Sequence, residues 1–250
     1  MLEFPQTKQQ TEELFVYERE LIRMANFVIF SAKYLQKVVQ KRIDFDFHSI
    51  VLNNAIHIPK YSAHHDKTNV SQIIDELIKN GKRNIVYIGA ISEWFDYDVI
   101  KKTAEKNPAV VFHLFGPVDV DFPPVKNIIF WGKLKHDDIF PVMEVSDALI
   151  MPFKLNKLIL SVNPIKLYEY IYSGKAVIAI RYDETRYFED FVYLYEAGDE
   201  NSLLEMVTLL EKNGYAAKKS IAECREFAEA NTWEKRILEL KTYIDSALYI

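Results

Sequence analysis

The segment that decides the fold is SVNPIKLYEYIYSGKAVIAI, residues 161–180. Asn163 is a natural helix N-cap, and Pro164 stands where the first helical turn tolerates proline, since an N–H there would be unpaired anyway. Gly174 is placed to end the helix in a left-handed conformation. The apolar run at residues 176–180 follows directly and has the character of a buried strand. The segment therefore predicts one helix that leads at once into a strand of a sheet.

Short apolar runs alternate with longer helical patterns along most of the chain. The runs predict strands at residues 84–89, 110–115, 127–131, 147–151 and 176–180. The helical patterns lie at residues 70–80, 96–106, 137–145, 164–173, 200–213, 217–229 and 232–248. Strands that alternate with helices of this length form parallel sheets covered on both faces. We therefore expect an α/β protein with a Rossmann-like parallel sheet, whose ligand lies beyond the carboxyl ends of the strands.

The N-terminal part of the chain predicts a smaller, partial unit. It contains one helical pattern and two strand-like runs, at residues 12–24, 27–30 and 50–52. Ser31 is a good N-cap for a second helix that continues to about Arg42. Asn53-Asn54 is a turn signal, and the polar, irregular residues after it resemble a linker.

Composition excludes several classes of protein. The formal net charge of the 250 residues is -5, which argues against nucleic acid as a partner. The single cysteine, Cys224, excludes an internal disulfide and fits a small buried side chain in a reducing compartment. No apolar run is long enough to span a bilayer, and the N-terminus lacks the pattern of a signal peptide. We expect a cytoplasmic protein, and attachment at the inner membrane face stays compatible with the sequence.

Lys166 and Glu169 are the charged pair of the deciding helix. A cation in the first turn opposes the helix dipole, and this conflict disappears if an anion binds at the same place. A diphosphate suits the free N–H groups and Lys166, while Glu169, three residues on, could accept hydrogen bonds from a ribose. The alternative is an ordinary surface ion pair between these two side chains.

The deciding segment also resembles a known motif. Its pattern N-P-I-K-L-Y-E-Y-x-x-x-G-K-A-V-I is similar to the signature of bacterial GT-B glycosyltransferases, which build envelope polysaccharides and exopolysaccharides. Five further blocks resemble the same family in order and spacing: NIVYIGAI (84–91), WFD (94–96), FHLFGP (112–117), NIIFWG (127–132) and SDALIMPF (146–153). Upstream, ELIRMANFVIFS (20–31) and IVLNN (50–54) resemble the end of the family's N-terminal domain.

The resemblance implies a site for a nucleoside diphosphate sugar, with UDP or GDP as the nucleotide and no further cofactor. It makes Glu169 the ribose ligand and Lys166 a diphosphate contact, with Asn163 at the start of the same helix. Gly89 and Ala90 would let the backbone approach the phosphates or the sugar. The alternative for Gly89 is a plain strand-to-helix turn.

Phe130 to Lys133 would form a turn that meets the nucleobase edge, and an ordinary strand end is the alternative. Phe115 is a candidate wall of the base pocket, although a core phenylalanine suits the pattern better.

The sequence gives little support for other catalytic or metal-binding motifs. Many retaining relatives carry a glutamate eight residues before the ribose ligand, and Ser161 stands there, so the stereochemistry and the catalytic residues stay open. GxGxxG, P-loop and HExxH patterns are absent. His64-His65 lacks the partners of a metal site, and His113, inside a strand, suits a core better than a catalytic role. We expect no metal.

The predicted organisation follows from these observations. Residues 1–60 would be the remnant of an acceptor domain, 61–70 a linker, and 71–230 the nucleotide-sugar domain. Residues 231–250 would form a helix that packs toward the N-terminal part. The function is then sugar transfer to a saccharide or lipid-linked acceptor in cell-surface polysaccharide synthesis. The alternative is a non-catalytic nucleotide-binding subunit that needs a partner chain for its acceptor site; a GT-B-fold epimerase is a weaker third possibility.

Overall fold

A computed structural model describes residues 8–58, 70–199 and 201–248. The chain divides into two compact units, Met1–Asn53 and Asn54–Ile250.

The first unit contains two helices and two short strands. They are α1 (Lys8–Met24), β1 (Val28–Phe30), α2 (Lys33–Arg42) and β2 (Ser49–Val51). The two strands pair in parallel as a sheet of their own, which follows from the intervening helix. Their small core is built from Ile22, Phe30, Val39 and Ile43. Several apolar side chains of α1 remain exposed within this unit: Leu14, Phe15, Val16, Tyr17, Leu21 and Met24.

Two local predictions in this unit were wrong. The N-cap of α2 is Ala32, not Ser31, and no side chain caps the helix. The helix begins one residue later than predicted, so the N-cap position is occupied by Ala32, which is completely buried and has no hydroxyl group to cap the helix. Asn53-Asn54 does not form a turn. Instead, the Asn53 side-chain amide donates to the Ser31 carbonyl oxygen at 3.2 Å, which links the chain after β2 to the end of β1.

The second unit is built around a six-stranded sheet in which every strand is parallel to its neighbours. The strands are β3 (Arg83–Ile88), β4 (Val110–Phe115), β5 (Ile128–Gly132), β6 (Ala148–Met151), β7 (Ala176–Ile180) and β8 (Val192–Tyr195). Their order in the sheet is β5-β4-β3-β6-β7-β8. The predicted α/β class with a Rossmann-like parallel sheet is therefore confirmed. Five of these strands were predicted, and β8 was missed.

Helices cover the faces of this sheet. They are α3 (Val70–Lys79), α4 (Tyr97–Lys106), α5 (Ile139–Val145, preceded by the 3₁₀ turn His136–Asp138), α6 (Lys157–Leu160), α7 (Ile165–Tyr172), α8 (Asp183–Arg186), α9 (Ser202–Lys212), α10 (Ile221–Ala230) and α11 (Trp233–Leu248). The side chains of β4, β6 and β7 are buried on both faces, as parallel strands between helical layers require. The short helices α6 and α8 were not predicted.

The centre of the sheet is a seam between β3 and β6. The chain leaves β3 toward β4 and β5 on one side, then crosses over to β6 and builds β7 and β8 on the other. Two residue pairs define the register of the seam, Ile85 with Ala148 and Val86 with Leu149. In open parallel sheets this reversal of strand order opens a crevice at the carboxyl ends of the strands, where ligands bind.

The predicted domain boundaries remain predictions. Residues 61–69 of the predicted linker, including His64-His65, lie outside the described residues, and α3 already begins at Val70. The start of α11 contacts Ile56, whose carbonyl oxygen accepts a hydrogen bond from the Trp233 N–H at 3.3 Å. Among the helices described, none has the length and apolar character needed to cross a membrane.

Candidate functional site

Helix α7 is tied directly to the carboxyl end of the central strand β3. The N–H of Ile88, the last residue of β3, donates to the Tyr170 hydroxyl oxygen at 2.9 Å. Tyr168 and Tyr170 lie on different sides of α7 and both are completely buried, so the helix is packed on both of these sides. Gly174 has φ +72°, which confirms the predicted left-handed end of the helix. The N-terminus of α7 therefore lies in the region of the sheet where the crevice is expected.

Asn163 does not cap α7, contrary to the prediction. The N-cap is Pro164, which has no side-chain hydrogen bond to give the helix. The Asn163 side chain is buried and used elsewhere: its Oδ1 accepts from the Asn54 N–H at 3.1 Å, and its Nδ2 donates to Glu184 Oε2 at 3.2 Å. The Asn54 side-chain amide also donates a hydrogen bond to the backbone carbonyl oxygen of Asn163, at 2.8 Å. Asn163 therefore fixes the entry into α7 and leaves the first-turn N–H groups without a side-chain cap.

Lys166, in the first turn of α7, contacts Glu169 one turn further along the helix. Lys166 Nζ lies 2.7 Å from Glu169 Oε2, and the side chains are 34% and 19% exposed. This is the i, i+3 contact of the surface-pair alternative. A carboxylate four-fifths buried beside an uncapped helix start is also what a ribose and diphosphate site needs. The contact is therefore common to both interpretations, and only a ligand separates them.

The ends of β3, β4 and β5 are held together through glycine backbone. The Gly89 N–H donates to the Phe115 carbonyl oxygen, and the Gly116 N–H donates to the Gly132 carbonyl oxygen, both at 2.8 Å. Ala90 is exposed beside them, and its carbonyl oxygen accepts a hydrogen bond from the Tyr87 hydroxyl at 2.7 Å. Gly89 and Ala90 thus follow the carboxyl end of the central strand β3, where Gly89 is half-buried and Ala90 is exposed.

Phe130 lies inside strand β5, which runs to Gly132, so the predicted turn at 130–133 starts too early. The Phe130 ring stacks on Phe122 at 6.1 Å between centroids and stays 37% exposed. Gly132 has φ +75° and turns the chain, which leaves Lys133 exposed after the strand. A role of this edge toward a nucleobase remains a prediction.

A buried polar network under β4 was missed from the sequence. Trp131 Nε1 donates to His113 Nδ1 at 2.9 Å, so the His113 proton is on Nε2, which faces Asn84 Oδ1 at 2.8 Å. Burial lowers the pKa of His113 to about 4. Phe115 is also completely buried, stacked on Trp131 at 6.0 Å, and is a core residue and not a pocket wall. His113 is part of the core, as its position inside a strand predicted.

Within the described residues, no group of three or more histidine, cysteine, aspartate or glutamate side chains is arranged to hold a metal ion. Cys224 is buried, as expected for a small apolar side chain, and burial raises the pKa of its thiol.

Six parallel strands in this order form a Rossmann-like sheet, and the chain has the fold of GT-B proteins over the part that it spans. In sequence it is similar to a Bacillus subtilis (strain 168) protein provisionally named a teichuronic acid biosynthesis glycosyltransferase, TuaH, with 27% identity over 239 residues. These residues make up 90% of this chain and 58% of TuaH. No protein-family model matches the chain.

Solved structures support the same fold. Anabaena HepE in complex with UDP-glucose superposes with a TM-score of 0.74 at 14% identity, over 96% of this chain and 70% of HepE. Sucrose-phosphate synthase from Thermosynechococcus elongatus superposes with a TM-score of 0.70 at 13% identity, over 98% of this chain and 64% of the synthase. At these identities the likeness concerns the fold. The matched part is thus 58–70% of the length of these three proteins.

Proposed function

We propose that this chain is the donor-binding part of a glycosyltransferase. It binds a nucleoside diphosphate sugar and takes part in transfer of the sugar to a saccharide or lipid-linked acceptor in cell-surface polysaccharide synthesis. The observation that carries the proposal is the start of α7, which has no side-chain cap and has Lys166 in its first turn, one turn before the four-fifths-buried Glu169 carboxylate. The name of TuaH and the UDP-glucose complex of HepE support the same substrate class.

The chemistry follows from the polarity of the helix start. The first-turn N–H groups and the Lys166 ammonium would face the diphosphate, so that its negative charge is matched without a metal. Glu169 would accept hydrogen bonds from the ribose hydroxyls. When the bond from the sugar to the diphosphate breaks, negative charge grows on the departing phosphate oxygen. Cationic and amide groups already placed there stabilise that charge.

The remaining contacts are proposed from the same edge of the sheet. Gly89 and Ala90 would let phosphate or sugar approach the exposed backbone. The end of β5, from Phe130 to Lys133, would meet the nucleobase, with UDP or GDP as the nucleotide. The place of action would be the cytoplasm or the inner face of the membrane.

Calorimetry with UDP and GDP tests the donor site. We expect saturable binding of one of the two nucleotides, unchanged by EDTA. Lys79→Ala is a matched control, because Lys79 forms an exposed helical ion pair with Asp75, also at 2.7 Å. Loss of binding in Lys166→Ala but not in Lys79→Ala supports the site. Binding that disappears with EDTA contradicts it.

The alternative proposal, a nucleotide-binding subunit that works with a partner chain, draws on the first unit. That unit has a two-stranded sheet, and α1 exposes Leu21 and Met24, 68% and 81% accessible. Such apolar surface is typical of a protein contact. Turnover of a UDP-sugar by the isolated chain with a lipid-linked saccharide favours the enzyme. Turnover that needs a second protein favours the subunit.

A further inference from the structure

The segment that leads into α7 is held by side chains from outside the helix. The Tyr182 hydroxyl donates to the Val162 carbonyl oxygen at 2.9 Å. The next carbonyl oxygen, that of Asn163, accepts from the Asn54 side-chain amide at 2.8 Å. The buried Glu184 carboxylate adds a third contact, since its Oε2 accepts from Asn163 Nδ2 at 3.2 Å. Two successive peptide groups and one side chain are therefore fixed directly before the helix.

Tyr182 and Glu184 belong to the short connection that follows β7, and this connection is bound to the strand. The Thr185 hydroxyl donates to the carbonyl oxygen of Ile180, the last residue of β7, at 2.8 Å, and accepts from the Tyr182 N–H at 2.9 Å. Thr185 is completely buried, and Tyr182 and Glu184 are 5% and 4% exposed. The end of β7 therefore sets the position of the start of α7 through buried side chains.

The N–H groups that follow this segment are those of Ile165 and Lys166. The next N–H, that of Leu167, already donates to the Pro164 carbonyl oxygen at 3.1 Å. Within the described part of the chain, no backbone carbonyl accepts from the Ile165 or Lys166 N–H. Unpaired N–H groups at a helix start attract anions. In the proposed donor site these two groups would face the diphosphate.

The two ends of α7 are anchored separately. Glu169, the proposed ribose ligand, is next to Tyr170, whose hydroxyl accepts from the Ile88 N–H at 2.9 Å. The entry of the helix is held instead by Tyr182 and Glu184. A defect at the entry should therefore disturb the diphosphate contacts and leave the ribose contact in place.

Glu184 acts on the main chain and not on a phosphate. A carboxylate repels an anion, so direct contact with a diphosphate would be unfavourable. Its Oε2 is already bonded to the Asn163 side chain, and the residue is buried. The contribution of Glu184 to the site is therefore the alignment of Asn163.

We infer that Tyr182 and Glu184 are positioning residues for the diphosphate end of the donor site, an inference that rests on the proposed function. They hold Val162 and Asn163, and with them the N–H groups of the first turn of α7. Neither side chain touches the nucleotide. Both raise the affinity for a nucleoside diphosphate and leave the affinity for the bare nucleoside almost unchanged.

Calorimetry with a nucleoside diphosphate and its nucleoside measures this difference, with UDP and uridine or GDP and guanosine according to which nucleotide the parent binds. Tyr182→Phe removes only a hydroxyl, so the chain should fold normally. It should bind the diphosphate about 2- to 12-fold more weakly, the range that one hydrogen bond supplies, and the nucleoside as the parent does. Tyr193→Phe is the matched control, because the Tyr193 hydroxyl also donates to a backbone carbonyl oxygen, that of Ala216, at 3.0 Å. It should bind both ligands as the parent does.

Two variants of Glu184 separate alignment from charge. Glu184→Gln keeps an oxygen that accepts from Asn163 and should retain the parent's affinity for the diphosphate. Glu184→Ala loses this contact and should bind the diphosphate more weakly, again with little change for the nucleoside.

The outcomes distinguish this inference from the proposed function. A parent chain that binds neither UDP nor GDP removes the donor site and the inference together. If the parent binds, the inference alone is overturned by any of three results: parent-like diphosphate affinity in Tyr182→Phe, equal weakening of diphosphate and nucleoside, or tighter diphosphate binding by Glu184→Gln.

Discussion

Gly116 and Gly89 approach each other so closely that a methyl group on Gly116 would lie 1.8 Å from the Gly89 carbonyl oxygen. This contact brings the end of β4 against the end of β3, at the edge where the donor site is proposed. Gly116 also has φ +148°, a region that L side chains rarely adopt. Two independent requirements for glycine therefore coincide at one position.

Gly116→Ala should unfold at markedly lower urea concentration than the parent. The added methyl must displace backbone, so we expect a loss of at least about 3 kcal/mol in the free energy of unfolding. Gly132→Ala is the control, because Gly132 also has positive φ but nothing within 4 Å of an added Cβ. It should lose only about 1–2 kcal/mol. Equal losses in the two variants would show that the contact with Gly89 is not tight.

Glu169→Ala and Lys166→Ala should weaken nucleotide binding in different ways. Loss of a charge-assisted bond to the ribose costs about 1.5–3 kcal/mol, which is roughly a 10- to 150-fold weaker affinity for both nucleoside and nucleoside diphosphate. Lys166→Ala should weaken the diphosphate strongly and the nucleoside little. Calorimetry of both variants with uridine and UDP measures the four affinities. If the pair is only a surface ion pair, affinities stay at the parent value and stability changes by at most about 0.5 kcal/mol.

Asn163→Ala should destabilise the larger unit by more than a lost helix cap. The substitution removes the side-chain bond from the Asn54 N–H and the amide donor to the buried Glu184 carboxylate, while the bond from the Asn54 side chain to the backbone carbonyl of residue 163 remains. We expect a cost of about 2–4 kcal/mol. Asn156→Ala is the comparison, because Asn156 caps α6 through the Ile159 N–H at 2.9 Å. That cap is worth about 1 kcal/mol. Urea unfolding of both variants checks the order, and a smaller loss for Asn163→Ala would contradict the anchoring role.

The stability of the chain should fall between pH 6.5 and 4 partly because of His113. Its folded-state pKa of about 4 lies below the value of 6.5 for an unperturbed histidine. The unfolded chain therefore binds more protons in this window, so this group's contribution is present above pH 6.5 and decreases as the pH falls. The full effect is about 3 kcal/mol.

Urea unfolding across this pH range measures the effect. His113→Gln should have a flatter profile than the parent, whatever its absolute stability. His136→Gln is the control, since His136 is 83% exposed, and it should follow the parent's pH dependence. A parent-like slope in His113→Gln would contradict the assignment.

The sheet could be predicted because most of its strands are visible in the local sequence as short apolar runs. Residues such as Ile85 and Val177 stand in uninterrupted apolar runs, which buried parallel strands require. Strand β8 was missed although residues 191–195 are an uninterrupted apolar and aromatic run like those of the other strands.

Only those parts of the candidate site that depend on residue spacing within one helix could be predicted. Lys166 and Glu169 meet because residues three apart share a helix face. The place of Asn163 was not predictable, because its partners Asn54 and Glu184 are distant in sequence and only the fold brings them together.

The seam between β3 and β6 has a consequence for biosynthesis. Strand β3 lies at the middle of the sheet, but its partner β6 ends at Met151, more than sixty residues after Ile88. At about 5–20 residues per second, the ribosome needs several seconds to synthesise that interval. During this time one edge of β3 has no strand to pair with, and unpaired apolar edges favour association between nascent chains. We therefore expect the yield of correctly folded protein to depend on how quickly that edge is covered, by a chaperone or by the helices that emerge first.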